Sequence, residues 1–349
     1  MAVRMAALAL ALILFAASTM LGRADQFDDA AAAFQAKDYA TALNLWRTLA
    51  NASNREAQAN LAVLYARGLG VARDQGRAAT WYEKAARQGH VKSQTDLAIM
   101  YFFGRGVGQN YETAAAWYRR AATGGSVTAQ TSLAVMHDNG QGVGQDYAQA
   151  FKWYALAAQQ GDAYAQNALG ARYQFGKGVA QDFPTAMAWY RLAAAQGVIL
   201  AQFNLGLLHE RGQGVMQSYA AAAKWYASAA ELGDAEAQYK LALLHARGQG
   251  VPQDFAAAKS WYAKSAAQGH AISHTNLGIM HAKGEGLARD LAVAYKYFAI
   301  AAKLGDKPAE QYRDLVAKHL MPGQILQARQ AAHDWLAEHR KKQRGRGTH

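Results

Sequence analysis

The chain has 349 residues, 52% hydrophobic and 18% charged, so it has enough apolar surface for a large core and does not have the composition of a disordered chain. It contains no cysteine, which excludes a disulfide framework, a thiolate zinc site, an iron–sulfur cluster and a cysteine nucleophile. The net charge of +12 is weighted toward the ends, with Arg4 and Arg23 in the first two dozen residues and Arg340, Lys341, Lys342, Arg344 and Arg346 in the last ten, so the body between them lacks the dense basic stripe of a nucleic-acid domain.

Residues 1–24 read as an export signal. Arg4 supplies the positive start, residues 5–17 form an uncharged apolar run, and Gly22-Arg23-Ala24 places small residues where a signal peptidase reads, leaving Asp25 as the first mature residue. The run is short for a membrane-spanning helix, and no cysteine follows it to accept a lipid. The expectation is a periplasmic or secreted protein with no stable membrane insertion after cleavage; a retained leader acting as an anchor is the alternative. Residues 25–53 then form a capping helical hairpin, with a first helix over 27–36 and with Asp38, Ala42, Trp46 and Ala50 on the second.

From 54 to 305 the chain repeats with a step of 36 residues, seven times. Trp-Tyr pairs stand at Trp81-Tyr82, Trp117-Tyr118, Trp153-Tyr154, Trp189-Tyr190, Trp225-Tyr226 and Trp261-Tyr262, continued by Tyr297-Phe298. A Gly-x-Gly segment starts at Gly68 and at every thirty-sixth residue through Gly284, and a small residue followed by Gln or His recurs from Ala57-Gln58 to Ser273-His274. Each unit reads as two antiparallel helices. In the third, Ala129, Leu133, Val135, Met136 and His137 mark the inner side of a first helix that stops at Gly140-Gln141-Gly142. Asp146 caps a second helix, Tyr147, Ala150, Tyr154, Ala157 and Ala158 follow at helical spacing, and Gly161 ends it. A single hairpin cannot bury both faces, so the units must stack.

Past 305 the pattern dissolves. Arg313 occupies the column that is leucine in every full unit, and Met321-Pro322-Gly323 breaks the chain before a last helix with Ile325, Ala328, Ala332, Trp335 and Leu336 on one face. Residues 306–339 are therefore read as capping helices and 340–349 as a basic disordered tail.

The run Ala-Gln-x-x-Leu, Gly-x-Gly-Val, Asp, Trp-Tyr, Ala-Ala, Gly resembles the Sel-1-like repeat, a relative of the tetratricopeptide repeat. The resemblance implies an all-α fold, a right-handed superhelical α/α solenoid whose inner face binds proteins or peptides. It also implies an adaptor role, common in the bacterial envelope, and no shared catalytic residues or cofactor.

The sharper chemical readings fail on the residues. The Gly-x-Gly segments lack the third glycine and preceding strand of a dinucleotide site and the Gly-Lys-Ser/Thr of a P-loop. His137, His209, His245 and His281 share a column with Tyr65, Tyr101 and Tyr173, but equivalent residues of successive repeats lie about 8 to 10 Å apart, too far to converge on one metal ion, so they read as packing residues. By analogy with the tetratricopeptide helix, the positions two before the leucine column and five and six after it should face the groove. From these we take Phe102, Phe103, Gln174, Phe175, Phe203, Glu210, Arg211, Tyr239 and Arg247 as candidate partner-binding residues, with the alternative that Phe103 and Phe175 only pack between repeats. The function expected is a non-enzymatic, monomeric scaffold for a protein or peptide partner; a peptidoglycan-associated glycan-binding protein or hydrolase is the rival.

Overall fold

The computed structural model describes residues 26–346; the export signal expected at 1–24 lies outside the described residues, as do the final three. These residues form eighteen α-helices and no strand. The first hairpin is α1 (26–35) with α2 (Tyr39–Asn51). The repeats follow as α3 (Arg55–Arg67) with α4 (Gln75–Arg87), α5 (Val91–Phe103) with α6 (Tyr111–Thr123), α7 (Val127–Asn139) with α8 (Tyr147–Gln159), and α9 (Ala163–Phe175) with α10 (Phe183–Ala195). Then come α11 (Ile199–Arg211) with α12 (Tyr219–Glu231), α13 (Ala235–Arg247) with α14 (Phe255–Ala267), and α15 (Ala271–Lys283) with α16 (Leu291–Lys303), closed by α17 (Pro308–Ala317) and α18 (Pro322–Arg346). Among the described residues no helix is long and apolar enough to cross a membrane.

The chain divides into two compact units. The first holds the described residues up to 165 together with 177–179, and the second holds 166–176 and 180 onward. Each is an α/α solenoid in which a helix packs chiefly on the helices just before and after it in the chain.

One repeat of the first unit shows why the sequence folds this way. Ser126 caps α7 by accepting from the Ala129 amide, and Gly140 ends it in the left-handed region at φ 68°. Gly142 is held at φ 67°, and a Cβ there would lie 2.2 Å from the Tyr111 carbonyl carbon, so only glycine lets this loop close onto the start of α6. The Asp146 amide then donates to the His137 carbonyl at 2.9 Å, and its carboxylate accepts from the amides of Ala148 and Gln149, each at 2.9 Å, starting α8. Ala150, Tyr154, Ala157 and Ala158 are buried on α8, as expected.

The paired tryptophans behave differently from the tyrosines beside them. Tyr82, Tyr118, Tyr154, Tyr190, Tyr226, Tyr262 and Phe298 are all buried, whereas of the paired tryptophans only Trp117 is, so the tyrosine column belongs to the core and the tryptophan column to its edge. Two of the half-buried indoles are covered by a cation one turn on: Lys84 Nζ lies 3.9 Å from the Trp81 ring centre and Lys264 Nζ 3.7 Å from that of Trp261.

Stacking is specified by the glutamine that follows the small residue. Gln130 is buried and donates to the Ala122 carbonyl at 3.1 Å, and Gln160 donates to Gln130 Oε1 at 2.9 Å. In the second unit Gln238 donates to the Ala230 carbonyl at 3.0 Å, and Gln268 to Gln238 at 3.0 Å. Buried polar groups that are satisfied across a helix contact fix its register, because a slip would leave them unpaired. His274 takes the glutamine's place in the last repeat, with Nε2 3.0 Å from the Ala266 carbonyl.

Both ends are covered. Ala30 and Trp46 are buried in the first hairpin. At the other end α18 packs on α16, burying Ala328 and Ala332, with Ile325 against a cluster containing Phe298 and Val316. Of the tail expected to be disordered at 340–349, residues 340–346 are instead the last turns of α18, and 347–349 lie outside the described residues. Lys, Arg and Gln favour helix, nothing before Gly345 interrupts them, and positive charge suits a helix C-terminus.

Candidate functional site

The three candidate columns separate physically. The column two before the leucine is drawn into the contact between repeats. Ala59, Thr95 and Thr275 are buried, Phe203 stacks obliquely on Tyr226 at 5.7 Å between ring centres, and Tyr239 lies 6.2 Å from Tyr262 and 4.9 Å from His270. Phe203 and Tyr239 are half-buried by these contacts.

The column five after the leucine serves the buried tyrosine hydroxyls. Tyr154 donates to Asp138 Oδ2 at 3.1 Å and Tyr190 to Gln174 Oε1 at 2.6 Å, while Tyr226 donates to Glu210. Gln174 is 4% exposed and its carbonyl also accepts from Gln181 at 2.7 Å, so its polar groups are occupied within the fold. Glu210 pairs with Lys240 Nζ, whose distances to the two carboxylate oxygens are 3.1 and 3.2 Å. Burial, then the bond to Glu210, raises the Tyr226 hydroxyl pKa far above the usual phenol range, so it stays a donor. Lys240 was not among the residues singled out from sequence; it lies thirty residues beyond Glu210, an offset that becomes meaningful only once the register between neighbouring first helices is known. In the first unit the same column holds Phe102, half-buried and edge-on to both Phe103 and Tyr111 at 5.0 Å.

The column six after the leucine ends every first helix and faces solvent. Arg67, Phe103 and Asn139 are exposed in the first unit, and Phe175, Arg211, Arg247 and Lys283 in the second. Phe103 is 56% exposed with the Arg105 guanidinium 4.8 Å over its ring, and Phe175 is 63% exposed. Thus the structure keeps Phe103, Phe175, Arg211 and Arg247 accessible and engages Gln174, Phe203, Glu210 and Tyr239 inside the repeats.

The histidine column is packing. His137 and His209 are buried, and burial holds the His209 ring below its usual range, with the nearby Arg191 charge adding to the effect. Among the described residues no three His, Asp or Glu side chains are grouped to hold a metal ion.

The family model described as the Sel1 repeat matches seven consecutive segments, residues 55–90, 91–126, 127–162, 163–198, 199–234, 235–270 and 271–306. Among solved structures, a protective antigen of uropathogenic Escherichia coli displaying an SLR fold is similar at 32% identity with a TM-score of 0.75, over 84% of this chain and 64% of that one. The chain therefore spans less than two thirds of that antigen's length. A Sel1 repeat protein from Oxalobacter formigenes is similar at 32% identity with a TM-score of 0.67, over 85% of this chain and 90% of that one. No curated protein matches the sequence.

Proposed function

Because the chain belongs to the Sel1 repeat family, whose repeats are generally protein-interaction modules, we propose that it is a non-enzymatic scaffold of the bacterial cell envelope, periplasmic or secreted, that binds a protein or peptide through the exposed ends of its first helices. The observation behind this reading is the helix-end row: phenylalanines and arginines stay in solvent at Phe103, Phe175, Arg211 and Arg247, on repeats whose other consensus side chains are largely consumed by packing. Aromatic and arginine residues dominate interface hot spots. Basic groups beside apolar anchors suit a segment that offers apolar side chains and carboxylates. The leader, as read from the sequence, gives the envelope as the compartment.

Affinity capture from envelope extracts tests this, with purified peptidoglycan as a second arm. We expect a stoichiometric protein to be retained by the wild type and lost by Arg211→Glu with Arg247→Glu. Retention on peptidoglycan, with no protein that discriminates between the two baits, would establish the glycan-binding rival instead.

A further inference from the structure

A second candidate site lies in the second unit, away from the helix-end row. Helices α16, α17 and α18 line a cavity of about 900 Å3 that is open to solvent on one side, at the upper end of the range for small-molecule sites. Its aliphatic lining is Ala299 on α16, Leu304 just past it, Ala317 on α17, and Ile325, Ala332 and Leu336 on α18, which recur at the spacing of one helix face, beside the polar rings of Tyr295, His333 and His339. Its charges are nearly all of one sign. Lys303, Arg313, Arg329 and Arg340 line it against a single carboxylate, Asp314, which is already paired with Arg313 at 2.8 Å.

The geometry orders these charges along the cavity. α18 runs beside α16 in the same direction, since Arg329 Nη2 lies 3.4 Å from the Tyr295 hydroxyl near the start of α16, and His339 lies against Gly269, the residue two before α15. Lys303, the last residue of α16, and Arg340, eleven residues beyond Arg329, therefore share the far end. Eleven residues of helix span about 16 Å, close to the length of a twelve-carbon chain. Away from the C-terminal end of α16 the walls offer few main-chain groups to a peptide, because the amides and carbonyls within helices bond internally. A ligand for this site needs a long part without polar atoms and an anionic head.

We propose that this cavity binds an acyl-chain anion, with the chain along the aliphatic walls and the carboxylate or phosphate held by Lys303 and Arg340. Titration calorimetry on the full chain, below the micelle threshold of each probe, tests it with dodecanoate, dodecyl phosphate, dodecyltrimethylammonium and inorganic phosphate. We expect saturable binding of one dodecyl anion per chain, weakened at least tenfold by Lys303→Ala with Arg340→Ala, and no comparable binding of the cationic amphiphile or of phosphate alone. Preference between the two anions tells a free fatty acid from a lipid phosphate. If the double variant melts lower than wild type, Arg340→Gln alone, at an exposed position, repeats the comparison. The proposal is overturned if neither anion saturates at one per chain, if the cation binds as well, or if the folded variants bind like wild type.

Discussion

The tyrosine row and the helix-end row belong to the same repeats, recur with the same step of 36 residues, and do opposite work. Every member of the first is buried, and those at Tyr154, Tyr190 and Tyr226 donate to the preceding first helix. Every member of the second is exposed, and its residues vary along the array, Arg67, Phe103, Asn139, Phe175, Arg211, Arg247, Lys283. The tyrosine position, which carries packing, holds a buried aromatic ring in every copy, while the helix-end position, freed of packing, is available for recognition.

The contrast breaks most sharply at Tyr226. Tyr226→Ala removes a fully buried ring and leaves Glu210 without its hydroxyl donor, so denaturant unfolding should show a loss of about 3 to 5 kcal/mol. Trp153→Ala, at a half-buried indole, should cost about 1 to 2 kcal/mol. Equal costs for the two would erase the distinction drawn between the columns.

The next effect is pH-dependent. Burial holds His274 at about 4, below its ordinary 6.5, with the His339, Lys296 and His270 charges adding to the shift and the Ala266 carbonyl opposing it. The unfolded chain therefore takes up the proton first, and stability present above pH 6.5 is lost as the pH falls toward 4, by up to about 3 kcal/mol. His274→Gln restores the residue that fills this column in the other six repeats and should flatten that part of the profile in unfolding titrations between pH 7 and 4. A profile unchanged by the substitution would place the acid sensitivity elsewhere.

Gln238→Leu should cost about 1 to 2 kcal/mol in the same assay, since it removes the bonds to the Ala230 carbonyl and from the Gln268 amide that hold the register. Deleting 341–349 should change the melting temperature hardly at all, because residues 341–345 are exposed and touch no core. A loss of several degrees would show that the basic turn of α18 docks.

Most of this architecture was legible in the sequence. Two glycines per loop, one aspartate cap and one small-plus-glutamine step recur in register, and each has a single structural meaning that the repeats reveal by repetition. The site was legible only in part. Column counting found Phe103, Phe175, Arg211 and Arg247, but the same counting also chose Gln174, Phe203 and Tyr239, because a face that looks inward is shared between solvent and the next repeat. Which residues are taken depends on contacts thirty residues apart, such as Glu210 with Lys240, that no periodicity within one repeat encodes. The helical course of residues 340–346 was missed because a charge run reads as solvated, and a solvated run of good helix formers is still free to be a helix.

The central claim is that partners meet the helix-end row, and site-specific photocrosslinking reads this position by position. A photoreactive residue is placed at 175, 211 or 247, and for comparison at 192 or 224 on the exposed sides of α10 and α12. The account predicts one and the same partner crosslinked from 175, 211 and 247 and none from 192 or 224; crosslinks confined to 192 and 224 would contradict it.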